Sequence, residues 1–205
     1  MGRTSTARQR LLDAAEELMH ARGYGAIGVA EICARAEVRK GSFYHFFESK
    51  QALTIEAIDA HWRAQRTAWA AALDADAPAL DRLDRLFDLL AETQRAAWRT
   101  GEAVYGCLLG NLAVELSNRE AAVQRRLAEV FDEQIDLIHA ALRDAADEGS
   151  VPAERADRGT ARAVVAQIEG VALLARLSGD PTTFDDLGPQ TRRLYAPRPD
   201  RQAAG

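Results

Sequence analysis

The chain has 205 residues with 26 Lys/Arg against 31 Asp/Glu, a net charge of -5, so the molecule as a whole is not a general binder of polyanions. No apolar run approaches the roughly 18 residues of a membrane span, and two cysteines far apart, Cys33 and Cys107, do not make a disulfide framework. An Ala- and Leu-rich composition with 6 prolines and few β-branched runs points to an all-α fold. The polar start Met1–Arg10 does not read as a secretory leader, so a cytoplasmic protein without membrane contact is expected.

In chain order, Thr4 to Arg22 is the first predicted helix, with Leu11, Leu12, Ala15, Leu18 and Met19 as its core stripe and Gly23 and Gly25 ending it. The segment from Gly28 to Lys50 follows and carries the most information. Val29, Ile32, Cys33 and Ala36 fall at i, i+3, i+4 and i+7 and give a short second helix one buried face; Cys33, on that face, reads as packing. Gly28 is an acceptable, weak N-cap. Ala36-Glu37-Val38 reads as a turn into a third short helix, with Phe43 and Phe47 inward and Ser42, Tyr44 and His45 outward.

Two helices joined by a short turn commonly lay one helix in a DNA major groove. Arg39 and Lys40 open the third helix, where backbone N–H groups also attract phosphate. Gly41 lets a phosphate approach the backbone, and Ser49-Lys50 adds a hydroxyl and a cation at the start of the next helix. The candidate contacts to double-stranded DNA are therefore Arg39, Lys40, Gly41, Ser42, Tyr44, His45 and Lys50. These are mainly phosphate-holding types, with Arg39 also able to reach guanine edges. The competing reading is a helical hairpin whose aromatics merely pack, but the third helix is too short and too polar outside for a core helix. Its lysines, Lys40 and Lys50, are the only two in the chain. Residues 1–50 hold 8 Lys/Arg and 6 Asp/Glu, against 18 and 25 in residues 51–205, so a slightly basic module sits on an acidic body.

Further helices are predicted over Ser49 to about Leu73, Leu80 to Arg99, Cys107 to Leu116, Arg119 to about Glu148 and Asp157 to Leu177. Gly188-Pro189 leaves the segment from Thr183 to Tyr195 as broken helix at best. The stripe Val123, Leu127, Phe131, Ile135, Ile138 and Leu142, with the apolar helix 157–177, predicts a homodimer through helices 119–148 and 157–177. Trp62, Trp69, Phe87, Trp98, Tyr105, Phe131 and His139 are candidates to line a cavity. The domain reading is a DNA-binding module at 1–48, a helical effector-sensing and dimerisation domain at 49–195 and a loose tail at 196–205. His20, His45, His61 and His139 are scattered and no Gly-rich loop follows a strand, so neither metal nor cofactor is expected.

The run KGSFYHFFESKQAL, residues 40–53, is similar to the signature of TetR-type transcriptional regulators: Gly, a hydroxyl residue, an apolar residue, Tyr, a variable pair, Phe, then Ser-Lys and an apolar helix. The resemblance implies a dimeric DNA-binding regulator, most often a repressor, released from a palindromic operator by a small-molecule effector. That family usually has Ser or Thr where this chain has Gly28, and Gly where it has Glu37; Glu37 is then expected in a left-handed backbone without glycine's freedom.

Cys107 opens the short apolar helix after Gly106, at a helix N-terminus, where backbone donors favour negative charge on sulfur. The bland reading is a buried small hydrophobe. The segment GCLLGNLAVELS, residues 106–117, resembles that of the N-ethylmaleimide-responsive and acrylate-responsive repressors of the same family, in which the matching cysteine is implicated in sensing electrophiles or oxidants. A lysine partner of that cysteine would match Arg176, which keeps the charge but is a poor amine nucleophile. The effector candidates are thus Cys107, Arg176, Trp62 and Tyr105. Two alternatives stand beside covalent sensing: a reversible ligand with a structural Cys107, and a thiol-dependent enzyme. The enzyme reading lacks a convincing base, since His139 is far away in sequence.

Overall fold

A computed structural model describes residues 2–74, 76–100 and 103–196, with side chains from residue 6 onward. The described residues form only helices and connections: α1 Gly2–Arg22, α2 Val29–Arg35, α3 Lys40–Phe46, α4 Lys50–Leu73, α5 Ala79–Arg99, α6 Leu108–Leu116, α7 Ala121–Asp147, α8 Arg158–Ser178 and α9 Leu187–Tyr195. The all-α expectation holds, and among these residues no helix is long and apolar enough to cross a membrane. The tail expected at 196–205 falls, from 197 on, outside the described residues.

The local chemistry explains the breaks. Gly23 ends α1 at φ 84, its N–H donating to Met19 O over 2.8 Å. Gly28 caps α2 with extended backbone and no side-chain bond. Between α2 and α3, Val38 N donates to Cys33 O over 2.9 Å and Glu37 sits at φ 53, the left-handed backbone its position demands. Asp157 caps α8 by accepting from Thr160 N over 2.6 Å, and Gly179 at φ 68 closes it.

The last segment is better ordered than Gly188-Pro189 suggests. A 3-10 turn spans Pro181–Phe184, capped by Asp180, and a regular α9 follows from Leu187. Pro189 falls in the first turn of α9, where its missing N–H has no intrahelical carbonyl to lose.

By packing, the chain divides into two compact units, Met1–Thr67 with Tyr105–Phe131, and Ala68–Val104 with Asp132–Gly205. The first reaches beyond residues 1–48: it takes in most of α4, all of α6 and the start of α7. Its core holds Leu11, Leu12, Ala15, Met19, Ile32, Cys33, Phe43, Phe47, Leu53 and Ile58, while Leu18 is only half-buried.

In the second unit, Arg82 of α5 donates to Leu73 O and pairs with Asp144 of α7, while Glu148 accepts from Ala79 N at the start of α5. A groove of about 480 Å³ lies between α5 and α9, floored by Phe87, Ala91 and Phe184 and rimmed by the ion pairs Arg192–Asp84 and Arg95–Asp185. Of the aromatics expected to line a cavity, Phe87 alone lines this groove, and Trp98 is 53% exposed.

Most of the α7 stripe is covered within one chain. Val123, Leu127, Ile135, Ile138 and Leu142 are all buried and serve the protomer's own core, while Phe131 of the same stripe is half-buried. The apolar surface still exposed on α8 is Leu173, Leu174 and Leu177.

Candidate functional site

α3 has one wet face and one dry face. Phe43 is fully buried, Phe47 just beyond the helix is nearly so, and their rings meet at 5.7 Å. That contact turns Arg39, Lys40, Gly41, Tyr44 and His45 outward; all five are exposed, and Ser42 is half-buried. Tyr44 is 56% exposed although its ring packs edge-on against Phe43. A Cβ at Gly41 would meet nothing within 4 Å, so no internal packing demands glycine there.

The charges around this face are sorted. Within the module, Glu17 pairs with Arg35, Glu31 with Arg22 and Glu37 with Arg10. Among the described residues no carboxylate pairs with Arg39 or Lys40. Three of the module's acids are thus paired with its own arginines, and the start of α3 keeps unpaired cations.

Lys50 is placed elsewhere. Its Nζ donates to Tyr24 O at 3.0 Å and Ile27 O at 2.9 Å and lies 3.8 Å from the centre of the Tyr24 ring. The sequence grouped it with the phosphate contacts; the structure uses its donors to hold the α1–α2 loop against α4. Burial lowers the Lys50 pKa, opposed by the nearby charges of Glu115 and Glu120. Ser49 is likewise occupied, as a cap that accepts from Ala52 N over 3.0 Å.

The loop held by Lys50 is also held from the α6 side. Glu115 accepts from Tyr24 N at 2.8 Å and Gly25 N at 2.6 Å. Glu120, just before α7, accepts from Tyr24 Oη at 3.1 Å and Gln51 Nε2 at 2.5 Å. Burial, then the hydrogen bond and charge of Glu120, push the Tyr24 hydroxyl up to about 12. None of Tyr24, Glu115 and Glu120 stood out in the sequence. The available signal was a lone carboxylate in the otherwise uncharged α6, LLGNLAVEL.

At the other end of α6, Cys107 is the N-cap residue, and its Sγ accepts from Gly110 N at 3.4 Å. It is half-buried. Gly106 precedes it at φ 72, a left-handed turn that a side chain rarely adopts. The Gly106 carbonyl lies 3.0 Å from His20 Nε2, and the His20 ring packs on Tyr105 with centroids 5.4 Å apart. Tyr105 and Gly106, just before Cys107, therefore stand against α1. Trp62, on α4 in the same unit, is buried. Arg176 is exposed on the last turn of α8, in the second unit. Cys33 is buried, and burial pushes its thiol up, away from the reactive thiolate.

A three-helix module that turns a short helix with unpaired cations outward is that of a helix-turn-helix DNA-binding regulator. Comparison with known proteins agrees. Residues 11–57 match the model of the bacterial regulatory proteins of the tetR family, and residues 79–188 match that of the tetracyclin repressor-like C-terminal domain. The chain is 30% identical over 186 residues to the HTH-type transcriptional repressor DhaR of Mycobacterium sp. (strain GP1), covering 90% of this chain and 89% of that one. It is 42% identical over 57 residues to the HTH-type transcriptional repressor NemR of Escherichia coli (strain K12), covering 28% of this chain and 29% of that one. A crystal structure of the regulatory protein TetR from Rhodobacter sphaeroides superposes with a TM-score of 0.83 at 28% identity, over 93% of this chain and 99% of that one. The chain belongs to the TetR family and is a DNA-binding transcriptional regulator.

Proposed function

We propose that the protein is a cytoplasmic, dimeric repressor that leaves a palindromic operator when a small electrophile or oxidant modifies Cys107. Arg39, Lys40, Ser42, Tyr44 and His45 take phosphates, Gly41 admits one close to the backbone, and Arg39 also reaches base edges. The observation that carries the reading is the membership of the Cys107 segment in the same compact unit as α1–α3. A group added to that half-buried sulfur disturbs packing that includes the DNA-binding module. The repressors named among its relatives support the direction of control.

Dimerisation runs through α7 and α8. Leu173, Leu174 and Leu177 are exposed on α8, and Ala166 and Gly170 precede Leu173 on the same side, small enough to let a second helix approach. Light scattering at micromolar concentration then gives twice 22.4 kDa, and Leu177→Asp gives the monomer.

The functional test is retardation of the DNA flanking the protein's own gene, before and after N-ethylmaleimide, for wild type, Cys107→Ser and Cys33→Ser. The wild type and Cys33→Ser are expected to lose binding on treatment, and Cys107→Ser to keep it. Equal loss in wild type and Cys107→Ser, or none in the wild type, leaves Cys107 a packing residue and favours a reversible ligand. Resistance of Cys33→Ser alone moves the sensor into the DNA-binding module.

A further inference from the structure

The loop between α1 and α2 is built around one carboxylate. Among the described residues the Tyr24 and Gly25 amides have no backbone acceptor; both donate to Glu115 of α6, at 2.8 and 2.6 Å. A Cβ at Gly23 would come within 2.8 Å of a Glu115 oxygen, and one at Gly25 within 2.9 Å. Gly23 also needs its positive φ, but Gly25 does not, so at Gly25 the Glu115 carboxylate is what a Cβ would meet and would have to displace. The same loop gives its Tyr24 and Ile27 carbonyls to Lys50. It is thus clamped by an anion on its donors and a cation on its acceptors.

We infer that Glu115 is the positioning residue through which α6 sets the DNA-binding module. Its carboxylate fixes residues 23–25, which set where α2 begins and therefore where α3 points. The opposite end of α6 is tied to α1 as well, through His20 on the Gly106 carbonyl and the Tyr105 ring. A helix held at both ends against α1 cannot shift at Cys107 and keep both Glu115 bonds, because charge-assisted hydrogen bonds tolerate little change in length or angle. The regulatory half of this inference rests on the sensor role proposed above; the anchoring half does not.

The test uses Glu115→Ala, Glu115→Gln, Gly25→Ala and the double variant Glu115→Ala/Gly25→Ala in the full chain. Two readouts are taken: amide hydrogen exchange without DNA, and affinity for the duplex flanking the protein's own gene, with and without N-ethylmaleimide. Glu115→Ala is expected to speed exchange at Tyr24 and Gly25 about tenfold or more while amides inside α1 stay protected, and to weaken the duplex by about tenfold. Gly25→Ala does the same by displacing the carboxylate, and adds little in the double variant because both remove one interaction. Glu115→Gln, with the same size and one remaining acceptor, falls between. Unchanged exchange at Tyr24 and Gly25 in Glu115→Ala, or fully additive effects in the double variant, overturns the anchor. If the reagent releases wild type and Glu115→Ala by the same factor, the coupling is overturned. If the reagent leaves wild type bound, the sensor reading fails, and exchange still decides the anchor.

Discussion

Lys40 and Lys50 are the chain's only lysines, ten positions apart in one motif, and they live in opposite surroundings. Lys40 begins α3 in the open, with no carboxylate partner among the described residues. Lys50 begins α4 half-buried, its ammonium on two carbonyls and a tyrosine ring. A cation meant for phosphate must arrive unpaired, because pairing it beforehand costs what binding would gain. A cation meant to organise a loop must be surrounded. The first unit contains both arrangements, an unpaired face on α3 and a saturated junction where α1, α4 and α6 meet.

The comparison can be broken most sharply at Lys50. Lys50→Met keeps the stem but leaves two carbonyls without a charged donor and Glu115 and Glu120 without their cation. It is expected to destabilise by about 2 kcal/mol in urea titration. A change below about 0.5 kcal/mol would return Lys50 to the solvent-facing set.

Gly41→Ala separates fold from function on the other side. A Cβ there meets nothing within 4 Å, so the helix gains stability, by up to about 1 kcal/mol in thermal or urea unfolding. Operator affinity falls about tenfold in titration if phosphate occupies that open space. Unchanged affinity would remove Gly41 from the contact surface.

The smallest expected effect is at Glu37. At φ 53 it holds a backbone that glycine adopts freely, and its ion pair with Arg10 is loose at 3.7 Å and exposed. Glu37→Gly is expected to raise stability by about 1 kcal/mol or less, read as a higher urea midpoint with an unchanged slope. A loss of stability would mean that the turn depends on the Glu37 side chain.

What the sequence made legible was local. The i, i+3, i+4 pattern identified Ile32, Cys33, Phe43 and Phe47 as buried, and the glycine–glutamate exchange in the turn implied the left-handed Glu37. What it concealed was pairing across distance. The acceptors of Lys50 lie 26 and 23 residues away and Glu115 meets an amide 91 residues earlier, separations at which spacing carries no signal. The α7 stripe shows a related limit: periodicity shows that a face is apolar, not whether its cover comes from the same chain or another. Pro189 was misjudged because a helix-breaking residue is harmless in a first turn, and the position of that turn depends on the 3-10 segment before it.

The most direct measurement is the salt dependence of operator binding for Lys40→Ala and Lys50→Met beside the wild type, with each variant's folded fraction held near unity. If α3 presents its unpaired face to DNA and Lys50 serves the loop, Lys40→Ala lowers the slope of log affinity against log salt by about 0.9, and Lys50→Met leaves it unchanged. An unchanged slope for Lys40→Ala, or an equal drop for Lys50→Met, would contradict that division of labour.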